Sequence, residues 1–297
     1  MSPLRARGFT LVEMMVALVL LATVAGGIYR VLVGNQRAFL TQTQQIELQQ
    51  NIRAGATILP TEFRALDAAD GDIAAMSASS ITIRAIRKLG FICVAPALGG
   101  GTMSFTVRAQ PFYGNSGPTF AAGDSVLVFY EGSVGTRSDD SWVPGQVSGV
   151  AGGTCPDPGT SHPGYVVSVQ PQWLAGQANA AGNVTGGSPV YGFAIVTYGL
   201  YESPADDRWY VGQAVQGSPM LPLIGPLTGP SGLTFTYYDS TGAPTGAAAQ
   251  VAQIGIVLRA ATTSQVRMID DGDAAYRIDS VSTRVALRNN PRCGPCL

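Results

Sequence analysis

Arg7-Gly8-Phe9-Thr10-Leu11-Val12-Glu13-Met14-Met15-Val16-Ala17-Leu18 opens an apolar run that continues to Tyr29 and contains one charge, Glu13. As a helix rising 1.5 Å per residue, Phe9–Tyr29 spans about 31 Å, close to one hydrocarbon core. A charge inside such a span costs about 2.5–3.5 kcal/mol on insertion scales, so Glu13 needs a partner and a task. Arg5 and Arg7 precede the run and favour a cytoplasmic N-terminus with the rest exported; Arg30 and Arg37 follow it and weaken that asymmetry. The competing reading is a secretory signal cut after the small residues Ala22-Thr23-Val24-Ala25. A carboxylate early in the apolar core, and a helical pattern that continues well past the cut, speak against it.

Beyond Tyr29, residues 30–76 read as the amphipathic half of the same helix. Leu40, Ile46, Leu48, Ile52, Leu59, Phe63 and Leu66 recur at three-, four- and seven-residue steps, and Gln42, Gln44, Gln45, Gln49 and Gln50 mark a water-facing side. Pro60 lacks an N–H and costs about 3 kcal/mol inside a helix, so a kink or break is expected near Leu59. Thr61 or the preceding turn would cap the resumed helix, which would end near Asp70-Gly71.

From residue 77 the periodicity changes to two. Strands are expected at Ser80–Arg87, Ser104–Ala109, Ser125–Glu131, Tyr165–Val169, Val190–Tyr201, Arg208–Val215, Leu233–Tyr238, Val251–Arg259 and Ile278–Arg288. Val190–Tyr201 and Arg208–Val215 form the best hairpin, and Asp239-Ser240-Thr241-Gly242 is a turn signal. Long loops are expected around 110–124, 132–164 and 171–189. The predicted class is therefore α+β: a long N-terminal α-helix, membrane half then amphipathic half, packed on an antiparallel β-sheet domain with long loops.

Composition agrees. With 37 Gly and 19 Pro, and charged residues at only 12%, the chain reads as a loop-rich β protein and not a helical bundle. A formal charge of −1 and thinly spread Arg residues give no electrostatic case for nucleic acid.

The run Gly8-Phe9-Thr10-Leu11-Val12-Glu13-Met14-Met15-Val16-Ala17-Leu18 resembles the class III signal of type IV pilins and type II secretion pseudopilins. The resemblance implies a leader, residues 1–8, removed by a prepilin peptidase between Gly8 and Phe9, with methylation of the new Phe9 amine. It also implies a transmembrane half at 9–29, an amphipathic half at 30–76 and a globular domain at 77–297. Loss of Arg5 and Arg7 with the leader would take the formal side-chain charge from −1 to −3. Glu13 lies one turn from Phe9, so in a staggered bundle the amine of one subunit can meet Glu13 of its neighbour and set register. The pieces Gly123–Val128, Val196-Thr197-Tyr198, Leu233–Asp239, Val251–Leu258 and Val285–Asn289, in that order, resemble PilW-type minor pilins and J-type minor pseudopilins. That likeness implies a non-enzymatic minor pilin that initiates or caps a type IV pilus, or alternatively a minor pseudopilin of a secretion system. The expected partners are other pilin subunits, the peptidase and the inner membrane, with the globular domain periplasmic and later at the cell surface. The long Gly-rich loops depart from the smaller J-type pseudopilins.

The remaining chemistry-bearing residues are few. Cys93, Cys155, Cys293 and Cys296 are an even set, which suits disulfides outside the cytoplasm: Cys93 with Cys155 across loops and a small Cys293–Cys296 loop, or one of the first two joined to the tail. Cys293-Gly294-Pro295-Cys296 has the form of a thiol–disulfide oxidoreductase motif, so a membrane-anchored redox protein is a third reading. Only Leu297 follows, however, so the helix that would lower a thiol pKa has no room. One C-x-x-C and a single histidine, His162, make a poor zinc set, and neither metal nor cofactor is expected. His162 reads as an exposed loop residue. Asp139, Asp140, Asp206 and Asp207, and the cluster Asp270-Asp271-Gly272-Asp273, read as turns lacking the spacing of a calcium loop. Trp209 reads as core, while Trp142 and Trp173 in loops are candidate adhesive contacts.

Overall fold

A computed structural model of the chain describes residues 10–114, 117–133, 135–136, 139–173, 181–267 and 274–288. Helix α1 runs Leu11–Arg64. The strands that follow are β1 Ile73–Met76, β2 Ser80–Gly99, β3 Thr102–Arg108, β4 Tyr113–Gly114, β5 Ser125–Tyr130, β6 Ser141–Asp157, β7 Thr160–Pro171 and β8 Pro189–Ser203. They continue with β9 Arg208–Val215, β10 Leu221–Leu227, β11 Leu233–Tyr238, β12 Gln253–Ala261, β13 Val266–Arg267, β14 Ala274–Ala275 and β15 Ile278–Ala286. One long helix on a large antiparallel sheet makes the class α+β.

The sheet builds two cores that share β2 and β8. In the first, the C-terminal half of α1 lies on β12, flanked by β11 and β15, and on β10, with β9, β8 and the start of β2 completing the surface. Leu48, Ile52, Gly55, Leu59 and Phe63 recur every three or four residues and form one buried helix face, with Pro60 buried beside them. Phe63 meets Tyr198 and Phe235 edge-on, with centroids 5.9 and 5.8 Å apart. Full burial of such a ring contributes about 1.5–3 kcal/mol. Leu40 and Ile46, which share the expected pattern, stay exposed; the buried residues of the helix begin at Leu48. The Gln44 Oε1 accepts from the Thr263 N–H at 3.0 Å and the Thr263 hydroxyl at 2.6 Å, which ties the stalk to the turn after β12.

The second core is a barrel. β2 pairs with β8 along Ser80–Phe91 and with β3 along Ile92–Gly99, so it bends from one neighbour to the other. β3 pairs β7, β7 pairs β6, β6 pairs β5 and β5 pairs β8, which closes the ring with every pairing antiparallel. Ile92, Phe105, Val107, Val126, Val128, Val143, Val167 and Val190 alternate inward and fill it. Closure leaves no free edge between these strands.

All nine expected strands are present, several extended. Several expectations fail. Residues 132–164 are not one long loop, because they contain β6 and the start of β7. Glycine hid them: a Cβ at Gly145 would stand 2.5 Å from Val169 Cγ1, and one at Gly153 would stand 2.9 Å from Val166 Cγ2. These glycines permit close approach of the paired strand while erasing the β-branched signal. The helix also passes through Pro60 without a break in its assignment. Pro60 is itself buried, so packing of this turn on the sheet offsets the lost bond. Thr61 is no cap, since its hydroxyl donates to the Thr57 carbonyl. Finally, α1 ends at Arg64 and residues 73–76 are a strand, so the helical half is shorter than 30–76.

Candidate assembly site on the N-terminal helix

Thr10 starts the helix. Its extended backbone (φ −83°, ψ 152°) is that of an N-cap, and its Oγ1 accepts from the Glu13 N–H at 3.2 Å. Glu13 Oε2 in turn accepts from the Thr10 N–H at 3.3 Å, which completes a capping box. Such a cap is worth about 0.5–2 kcal/mol, and a carboxylate in the first turn also complements the helix dipole. Within a single chain Glu13 is therefore held at the helix start, immediately after the expected cleavage position. The Thr-x-x-Glu pattern of Thr10 and Glu13 is a cap signature recognisable in the sequence. Gly8 and Phe9 lie outside the described residues.

From this cap the helix presents apolar side chains on every side. Leu11 is 77% exposed, and Val12, Met15, Val19, Leu21, Val24 and Ile28 are all exposed. Among the described residues, α1 is the one helix long and apolar enough to cross a membrane. At 1.5 Å per residue its 54 residues measure about 81 Å. The N-terminal half thus projects free of both cores, and the domain holds only the C-terminal half.

The other singled-out residues sit in the globular part. Cys93 and Cys155 form a disulfide with Cα atoms 5.4 Å apart. Neither is in a loop as expected: Cys93 is in β2 and Cys155 in β6, strands separated by β3 and β7 in the sheet order. The bond holds the curled β6–β7 hairpin back over β3. Cys293 and Cys296 lie outside the described residues, as does the Asp270–Asp273 cluster. His162 is exposed as expected, but it stands in β7, where its Nε2 lies 3.1 Å from Asp157 Oδ2 across the hairpin. Asp139 and Asp206 are turn residues: the Ser133 hydroxyl, then the Ser133 N–H, hold the Asp139 carboxyl below the usual range, and the Tyr210 hydroxyl does the same for Asp206. Among the described residues no group of three His, Cys, Asp or Glu converges on a metal-sized site.

Trp142 is in β6, not a loop, and packs between Phe129 and Tyr191 at 5.3 and 4.7 Å. Trp173 packs against the barrel core and Trp209 against the helix core. At the helix end, Arg87 makes two hydrogen bonds to Glu62, at 3.0 and 2.8 Å. Beside them burial, then the Glu62 charge, pushes the Tyr198 hydroxyl up to about 12.

Among family models, the prokaryotic N-terminal methylation motif matches residues 4–29. Comparison with curated proteins and with solved structures gives no match. A motif of this type implies processing by a prepilin peptidase and assembly with other pilins, and with one long apolar helix it fits a single-pass inner-membrane anchor. The chain therefore carries a prepilin-type, class III N-terminal signal, the mark of a type IV pilin-like or pseudopilin-like protein.

Proposed function

We propose that this chain is a non-enzymatic minor pilin of PilW type that helps initiate or cap a type IV pilus. The observation that carries the reading is the free apolar half of α1, capped by Thr10 and Glu13 and matched by the methylation motif. Before assembly, Leu11–Tyr29 anchors the chain in the inner membrane with the β domain on the periplasmic side. In the filament the same surface packs on neighbouring helices. Cleavage after Gly8 creates an amine on Phe9, and the amine of one subunit meets Glu13 of the next. An unpaired Glu13 in lipid opposes wrong stagger, so the pair acts on register more than on stability. The two-core domain supports a minor over a major subunit, because a barrel added beside the helix-bearing core is bulky to repeat at every filament position.

The test is processing and incorporation. Co-expression with a prepilin peptidase should yield a mature chain beginning at methylated Phe9, read by mass spectrometry. A start after Ala25, or no cleavage, overturns the proposal. Glu13→Ala should insert and be cleaved normally yet enter filaments poorly; normal entry removes the register role. Deleting the protein should abolish surface pili, whereas loss of secretion with intact pili would assign it to a secretion pseudopilus.

A further inference from the structure

Lys88 is the only lysine in the chain and is buried in the barrel wall, 8% exposed. Its stem lies in a slot shaped by two glycines. A Cβ at Gly114 would come 3.2 Å from Lys88 Cγ, and one at Gly192 would come 3.0 Å from Lys88 Cβ. The slot leads Nζ to Asp124, which accepts at Oδ2 over 2.6 Å. The same oxygen accepts from the Ala121 N–H at 2.8 Å, which orients the carboxylate, and the Asp124 backbone carbonyl accepts from the Val147 N–H at 2.9 Å, which holds the main chain beneath it. Elsewhere this chain uses arginine to pair with carboxylates, as in Arg84 with Asp72 and Arg87 with Glu62. A guanidinium is the better partner for a planar carboxylate; what lysine alone offers is an amine nucleophile.

We propose that Lys88 and Asp124 are a self-cross-linking site, in which the amine and the carboxylate condense to an isopeptide bond between β2 and the entry to β5. A proton passes from Nζ to Oδ2 along the existing hydrogen bond. The neutral amine adds to Asp124 Cγ and forms the C–N bond. A second amine proton goes to the departing Oδ2, held by the Ala121 N–H, and the C–O bond breaks. An ammonium and a carboxylate thus become one amide and one water, with no oxidant, reductant or co-reactant. The barrel supplies the orientation that makes an intramolecular reaction fast. A neutral amide also removes the cost of keeping two ions out of water. Asp124, 26% exposed against 8% for Lys88, leaves the released water a path out.

The experiment is the intact mass of the mature full-length chain, purified in detergent and reduced, beside Lys88→Arg. The wild type should be one water lighter than the mass of its methylated mature sequence, and its digest should contain a fragment joining Lys88 to Asp124; Lys88→Arg should show neither. A wild type at full mass overturns the proposal. So does a water loss that persists in Lys88→Arg, which would mark cyclisation at an aspartate. The wild-type mass decides the question even if the variant fails to fold.

Discussion

Gly55 should be the position on α1 least tolerant of a side chain. It sits on the buried face, over β10 and β12, and a Cβ there would lie 2.5 Å from Leu258 Cδ1 and 3.3 Å from Ile224 Cγ2. Leu258 is 1% exposed in a strand paired on both sides, so its methyl has little room to move away. Two effects oppose each other in Gly55→Ala. Helix propensity gains about 1 kcal/mol, while forcing a methyl into a filled core costs about 1–3 kcal/mol. The expected net is a loss near 1 kcal/mol. Gly55→Val adds two more methyl carbons and β-branching, and should lose about 3 kcal/mol. Gly34→Ala is the control, since nothing stands within 4 Å of its Cβ and the propensity gain is unopposed. Thermal unfolding of the full chain in detergent reads the difference, with 1 kcal/mol worth about 2–4 °C for a domain of this size. The order should be Gly55→Val below Gly55→Ala below wild type, with Gly34→Ala level or higher. A Gly55→Ala protein as stable as Gly34→Ala would show that the helix is not seated on Leu258 and Ile224 as described.

Two further expectations concern the globular part. The Cys93–Cys155 bond closes a loop of sequence separation 62, for which the chain-entropy relation gives about 4 kcal/mol. Cys155→Ala should therefore lower the unfolding free energy obtained from denaturant titration by up to that amount, and reductant should destabilise the wild type but have little further effect on the variant. Tyr198, pushed up to about 12 by burial and then by Glu62, should ionise last with Tyr237, which burial also raises. Both are protonated more readily folded than unfolded, so their contribution is complete below the unfolded value near 10 and is lost as pH climbs towards 12. Stability should fall over that window, and phenolate absorbance from these two rings should lag behind the other tyrosines. Simultaneous ionisation of all 11 tyrosines in the folded protein would refute the burial argument.

The sequence alone determined the features that depend on local chemistry. An apolar run of membrane length, a charge one turn into it and a glycine just before it are legible because lipid imposes the same demand on any chain. The nine expected strands were legible wherever β-branched and aromatic residues alternate. Tertiary structure decided the rest. β6 was invisible because Gly145 and Gly153 are set by the distance to β7, a contact between strands and not a local preference. Pro60 stays helical because the surrounding face is buried, which outweighs a local penalty of a few kcal/mol. The sequence offered Cys93 with Cys155 beside an alternative bond to the tail, and the choice between them, like the pairing of Lys88 with Asp124, required closure of a barrel that brings β2 near strands far along the chain. Thr10 lay between the two: its motif was present in the sequence, but the reciprocal bonds to Glu13 emerged only once the helix start was placed.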